Sequence, residues 1–143
     1  MKLFAGLDVS SFDIKVCLLN GEGEQMETFT VSNDLPGATI LRDRLLEVAN
    51  HQKLEIFKIG LESTSVYSFH PSMFLHYDKA LKELGVQVFV MNPKQIANFK
   101  KSYADMDKTD EIDAFVIADY LRFGRNQMSV VKEEQYIALQ QLT

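Results

Sequence analysis

Two aspartates, Asp110 and Asp113, stand three residues apart in the run Lys108-Thr109-Asp110-Glu111-Ile112-Asp113-Ala114. If that run opens a helix, both carboxylates fall on one face. Two further acids sit in or beside apolar runs: Asp8 within Leu3 to Val9, and Glu62 directly after Ile56 to Leu61. Carboxylates gathered at one point repel one another unless a proton or a cation neutralises them. An all-oxygen donor set suits magnesium or manganese. The chemistry expected of such a cluster is metal-dependent phosphoryl transfer.

Each acid also has a purely structural reading. Asp8 precedes Ser10-Ser11 and suits a strand-terminal turn. Glu62-Ser63-Thr64 offers hydroxyls to a helix start, and Asp110 with Glu111 suits the positive end of a helix dipole. Asp113 is covered least well. A helix capped by Thr109 would place it beyond the first residues, beside apolar Val116 and Ile117, where an unpaired charge is costly. The conjunction of four acids therefore favours the metal.

Other chemistries find less support. Asp105, Asp107 and Asp110 are spaced like a calcium loop, but the sixth and twelfth places counted from Asp105 are Asp110 and Val116, where glycine and glutamate are required. No nucleophile is flanked by glycines. The single Cys17 lies in the apolar stretch Val16 to Leu19, as a small buried thiol would. His51, His70 and His76 have no zinc-like spacing and read as capping, packing or surface residues.

The elements that must position these acids follow from periodicity. Leu3 to Val9, Asp13 to Asn20 and Gln25 to Val31 alternate as strands joined by short polar turns, an antiparallel meander. Asn33 or Asp34 caps a helix with Pro36 in its first turn and a stripe of Ile40, Leu41, Leu45, Leu46 and Val48, ending near Asn50. Glu55 to Leu61 and Val86 to Met91 read as parallel strands. The crossover between them is a helix from about Pro71 to Gly85, with Tyr67, Phe69, Phe74, Leu75 and Leu81 in the core. Asn92-Pro93 opens a helix to Lys101, Ser102 to Lys108 is a linker, and Thr109 opens a helix to Phe123 with Gly124 as its stop. A last helix runs from Lys132 to Thr143.

With 143 residues the chain fits one domain, large enough to bury roughly 70% of its unfolded surface. Its hydrophobic fraction of 46% and charged fraction of 24% are those of a soluble globular protein. A net charge of -5 argues against a freestanding duplex binder. Lys94, Lys100, Lys101 and Lys108, with Arg122 and Arg125, flank the acidic run as a solvated face or as a phosphate-guiding rim. No stretch reaches membrane-spanning length, and Asp8 falls too early for a signal peptide, so a cytoplasmic location is expected.

Strand and helix order is that of a ribonuclease H-like α/β fold: three antiparallel strands, then two parallel strands, with flanking helices. The segments Gly6-Leu7-Asp8-Val9-Ser10, Leu61-Glu62-Ser63-Thr64 with Tyr67, Asn92-Pro93 with Phe99, and Lys108 to Ala114 resemble, in order, the DEDD-motif transposases of bacterial insertion sequences. That family includes Piv-type invertases and bridge-RNA-guided recombinases. Ser65 stands where the family commonly has glycine.

The resemblance implies a RuvC-like catalytic domain over residues 1–131, with 132–143 starting a helix that leads into a coiled coil and a serine-bearing second domain. It implies Asp8, Glu62, Asp110 and Asp113 as ligands of two magnesium or manganese ions. It implies DNA and a structured guide RNA as partners, homo-oligomeric assembly, a nucleoid-associated location and metal-dependent strand cleavage and transfer, this chain supplying one half of a composite site. Two other readings remain. Gly6 to Ser11 with Lys15 is similar to the first phosphate loop of sugar kinases and actin-like ATPases. Alternatively, the acids only cap helices in a non-catalytic nucleic-acid-binding scaffold.

Overall fold

A computed structural model describes residues 1–50, 53–62, 66–101 and 112–123, together with the backbone of 129–130. Its centre is a six-stranded mixed sheet in the order β3-β2-β1-β4-β5-β6. Strands β1 (Lys2–Val9), β2 (Asp13–Asn20) and β3 (Gln25–Ser32) form the expected antiparallel meander. Strands β4 (Ile56–Glu62) and β5 (Gln87–Met91) then add in parallel on the other side of β1. The chain leaves β3 through α1 (Leu35–Asn50), whose start is fixed by the Asp34 carboxylate accepting from the Gly37 amide at 2.8 Å.

Period-two alternation divides the sheet between two cores. Leu3, Ala5 and Leu7, with Ile14, Val16 and Leu18 and with Phe57, Ile59 and Leu61, bury on one face. They lie under α1, α2 (Phe69–Tyr77) and α3 (Lys79–Glu83). Phe4, Cys17 and Leu19 turn to the other face, under α4 (Pro93–Lys100) and α5 (Ala114–Arg122). The result is a three-layer α/β/α arrangement with β1 near the middle of the sheet.

Several expectations are corrected. The crossover is not one helix. A 3-10 turn at Val66–Ser68 leads into α2, and the chain then breaks at Asp78, whose backbone is extended (φ -63, ψ 124) and whose side chain caps α3 by accepting from the Leu81 amide. Arg42 of α1 holds that carboxylate at 3.2 Å, fixing the break against the first helix. Tyr67 is 51% exposed and Ile40 53% exposed; only Leu75 and Leu81 of the expected crossover core are fully buried. Ser129–Val130 forms a short strand, β6, antiparallel to β5, that the sequence did not announce. The expected helix over 132–143 and the capping role of Thr109 lie outside the described residues.

Candidate metal centre

Two of the four acids are placed by strand register. Leu7 of β1 pairs with Leu61 of the parallel strand β4, so the next residue on each strand, Asp8 and Glu62, stands at the same carboxyl-terminal edge of the sheet. Leu7 and Leu61 both bury in the α1 core, so alternation turns Asp8 and Glu62 together to the opposite face, the one covered by α5. Both are half-buried there.

A third acid arrives because two glycines let α5 lie directly on the sheet. A Cβ on Gly6 would stand 2.1 Å from the Ala114 carbonyl oxygen and 2.4 Å from the Ala118 nitrogen; one on Gly60 would stand 2.8 Å from Leu121 Cδ1. The far end of α5 reaches the β2–β3 turn, where a Cβ on Gly23 would stand 2.9 Å from the Arg122 guanidinium carbon. The helix therefore runs antiparallel to β1 and starts at the edge that carries Asp8. Each glycine precedes an acid by two residues, Gly6 before Asp8 and Gly60 before Glu62. On a strand that spacing means the same face, so the seat of the helix was readable beside the acids it serves.

Asp113 is the N-cap of α5, with extended backbone (φ -99, ψ 178) and Oδ1 accepting from the Val116 amide at 2.9 Å. This corrects the expectation of a helix begun at Thr109 with Asp113 inside it. The residue is exposed rather than pressed against apolar side chains. The capping bond engages one carboxylate oxygen. Asp8 and Asp113 line one cavity of about 480 Å³, together with Lys15, Cys17, Gln25 and the threonines of β3.

The three described carboxylates frame this edge without closing on a point. Glu62 lies outside the lining of that cavity. Among the described residues no three of His, Cys, Asp and Glu are close enough together to hold a metal ion. Asp110 lies outside the described residues, as do Lys108, Asp105, Asp107, His51 and Arg125. In donor chemistry the set fits a hard divalent cation: oxygen donors only, two on fixed strands and one on a helix start. In geometry it is an open frame.

Cys17 reports the charge of this corner. Its thiol is pushed up from 9.0 to about 11, first by burial and then by the negative charges of Asp113 and Asp119. Lys15, read from the sequence only as part of a possible phosphate loop, is the direct cross-strand partner of Asp8. Of the expected basic rim, Lys94, Lys100, Lys101 and Arg122 are among the described residues. Lys94 and Lys101 are exposed at the two ends of α4. Arg122 lies at the far end of α5, about 13 Å from Asp113 along the axis, and is bound at 2.9 Å to the buried Asp119.

Comparison with known proteins places these features. Residues 5–143 match the IS110-type DEDD family, described as transposase. No curated protein matches the chain. Among solved structures, RuvC of T. thermophilus in complex with a Holliday junction substrate is 15% identical and superimposes with a TM-score of 0.54, over 92% of this chain and 100% of that one. The ethanolamine utilization protein EutJ from Carboxydothermus hydrogenoformans is 14% identical with a TM-score of 0.44, over 73% of this chain and 42% of that one. The RuvC likeness shows the fold, a RuvC-like member of the ribonuclease H-like class. Since the family match takes in all but the first four residues, the chain belongs to the IS110-type DEDD transposases.

Proposed function

We propose that this chain carries the divalent-metal centre with which its transposase cuts and transfers DNA strands, and that Asp8, Glu62, Asp110 and Asp113 are the ligands. The observation that carries the reading is the shared edge: Asp8 and Glu62 are one step beyond a paired register on parallel strands, and α5 starts with Asp113 at that same edge. Magnesium or manganese, as two ions, would supply Lewis-acid stabilisation of charge developing on a phosphodiester. The carboxylates of β1 and β4 would fix the position of that charge, because both strands are central and cannot drift. Asp113 would hold its place through the capping bond of one carboxylate oxygen and offer the other to the metal.

DNA is the polymer a transposase moves, and the RuvC that shares this fold is itself seen on a Holliday junction. A structured guide RNA, homo-oligomeric assembly and a serine nucleophile contributed by another domain complete the proposal, all resting on the family resemblance. The test is metal linkage. A ligand that binds only the folded state adds about 1.4 kcal/mol for each tenfold excess over its dissociation constant. Magnesium or manganese should therefore raise the melting temperature of the parent, and Asp8→Asn and Glu62→Gln should each remove most of that rise. An equal rise in the parent and both variants would refute the shared site.

A further inference from the structure

Beside the acidic edge, the α5-side face of the sheet is open at Lys15 of β2 and along β3. Helix α5 sits over Gly6 and Gly60, on β1 and β4, and also covers Cys17 and Leu19 of β2. The residues of β2 and β3 that alternate onto this face and stay exposed are Lys15, Thr28, Thr30 and Gln25. Register places them in rows. Asp8 pairs with Lys15, which pairs with Thr30; Gly6 pairs with Cys17, which pairs with Thr28. Carboxylate, ammonium and hydroxyl thus follow one another across three strands at the inter-strand spacing of about 5 Å.

The chemistry of this shelf suits an anion, since each of its side chains can donate. Lys15 offers only donors, the two threonines offer hydroxyl donors, and Gln25 accepts weakly from the Cys17 thiol (4.0 Å) through Oε1, which leaves its amide N–H groups to donate. The nearby acid of β3, Glu27, pairs with Leu18 and so turns to the opposite face, where Arg44 holds it at 3.0 Å. A shelf of one ammonium and neutral side chains able to donate, next to a carboxylate edge, fits a polyanion that presents successive phosphates, one beside the acids and the next beside the ammonium. Two strands make a shelf about 10 Å wide, room for a single nucleic-acid strand.

We propose that Lys15, with Thr30 and Thr28 beside it, is a phosphate seat for the strand being processed, holding its backbone next to the carboxylates of Asp8 and Asp113. The proposal rests on the metal-centre reading for its purpose, but it is tested separately. Lys15 positions the strand; it is assigned no part in the bond-breaking step.

The experiment measures binding of a fluorescent single-stranded oligodeoxynucleotide to the 143-residue chain across a salt series, with magnesium present. Lys15→Ala should bind about tenfold more weakly and lower the slope of log affinity against log salt by about 0.7, the value of one lost phosphate contact on a single strand. Lys15→Arg should restore most of the affinity and the slope. Thr30→Val, which keeps the β-branched shape on an edge strand, should weaken binding about twofold to threefold. A merely structural lysine that balances Asp8 would alter stability but leave the salt slope alone.

Unchanged affinity and slope in Lys15→Ala would overturn the proposal, as would no binding by the parent even at low salt. Equal displacement of the oligonucleotide by a polyglutamate peptide would also overturn it, since the shelf would then be a general anion patch. A Lys15 effect on the slope in a chain whose melting temperature does not respond to metal would support the seat while refuting the metal centre.

Discussion

The Cα of Gly6 faces the carbonyl oxygen of Ala114 so closely that a Cβ at that glycine would stand 2.1 Å from it. Backbone meets backbone there, and no side-chain rotamer can relieve an insertion. Gly6→Ala should therefore lift α5 from the sheet and destabilise the domain by about 2 kcal/mol or more, the range for an overpacked core. Gly85→Ala is the control: its φ is +78 with nothing within 4 Å of the added carbon, so only left-handed strain of about 1 kcal/mol is expected. Chemical denaturation of the two variants checks the order. In Gly6→Ala any metal-linked rise in melting temperature should fall as well, because the helix that carries Asp113 has moved.

Asp113 has two roles that two substitutions separate. Asparagine keeps a side-chain oxygen for the Val116 amide and is as good a cap as aspartate, whereas alanine loses the cap at a cost of about 1 kcal/mol. Without metal, Asp113→Asn should be as stable as the parent or more stable, since it removes one charge from a repelling group. Asp113→Ala should be less stable. With magnesium, both should lose most of the rise in melting temperature. An Asp113→Asn chain that keeps the full rise would leave the residue as a cap alone.

How much of this was legible in the sequence depended on whether the signal was local. The meander, the Asp34 and Asn92 caps and the parallel pair β4 and β5 follow from alternation, turn chemistry and proline placement, which act within a few residues. The break at Asp78 is not seen in the apolar pattern, which runs across it as one stripe, although its cap is local; Arg42, more than thirty positions away, holds the same carboxylate. The start of α5 was misplaced because Thr109 and Asp113 are both competent caps, and the choice is made where the Gly6 backbone meets Ala114 and Ala118. The relation of Asp8 to Lys15 required knowing the β1–β2 register, which the tight turn sets. Asp8 and Glu62 lie, as their sequence context suggests, at the ends of buried runs, and their adjacency is a consequence of strand order.

Cys17 gives a pH signature of the same corner. The folded thiol keeps its proton to about 11, while an unfolded thiol releases it near 9.0. Between those values the unfolded state binds fewer protons, so stability falls as pH rises from about 9 to about 11 and is untouched by this group at neutral pH. The difference in unfolding free energy between the parent and Cys17→Ala should therefore shrink between pH 8 and pH 10, with other titrations common to both. Asp113→Asn should bring the thiol part of the way down and no further, because burial is the larger cause. A thiol titrating at its ordinary value, followed by the Cβ carbon shift, would contradict this electrostatic account.

The β1–β2 turn distinguishes a nucleic-acid enzyme from a nucleotide-binding one. A phosphate loop must offer free backbone amides, but here Ser10 Oγ accepts from the amides of Phe12 at 3.3 Å and Asp13 at 3.1 Å, and itself donates to the Asp13 carboxylate at 2.9 Å. Asn33 closes the turn from outside, donating to the Ser10 carbonyl at 2.8 Å. The amides of Ser10, Phe12 and Asp13 are thus engaged within the protein. Calorimetry with ATP and magnesium should show no saturable binding to the parent. Ser10→Ala should cost about 1 kcal/mol through the lost turn bonds and still bind no nucleotide. Saturable ATP binding by the parent that is lost on changing Ser10 or Lys15 would reverse the ranking and make Lys15 a ligand of the triphosphate instead of a seat for a nucleic-acid strand.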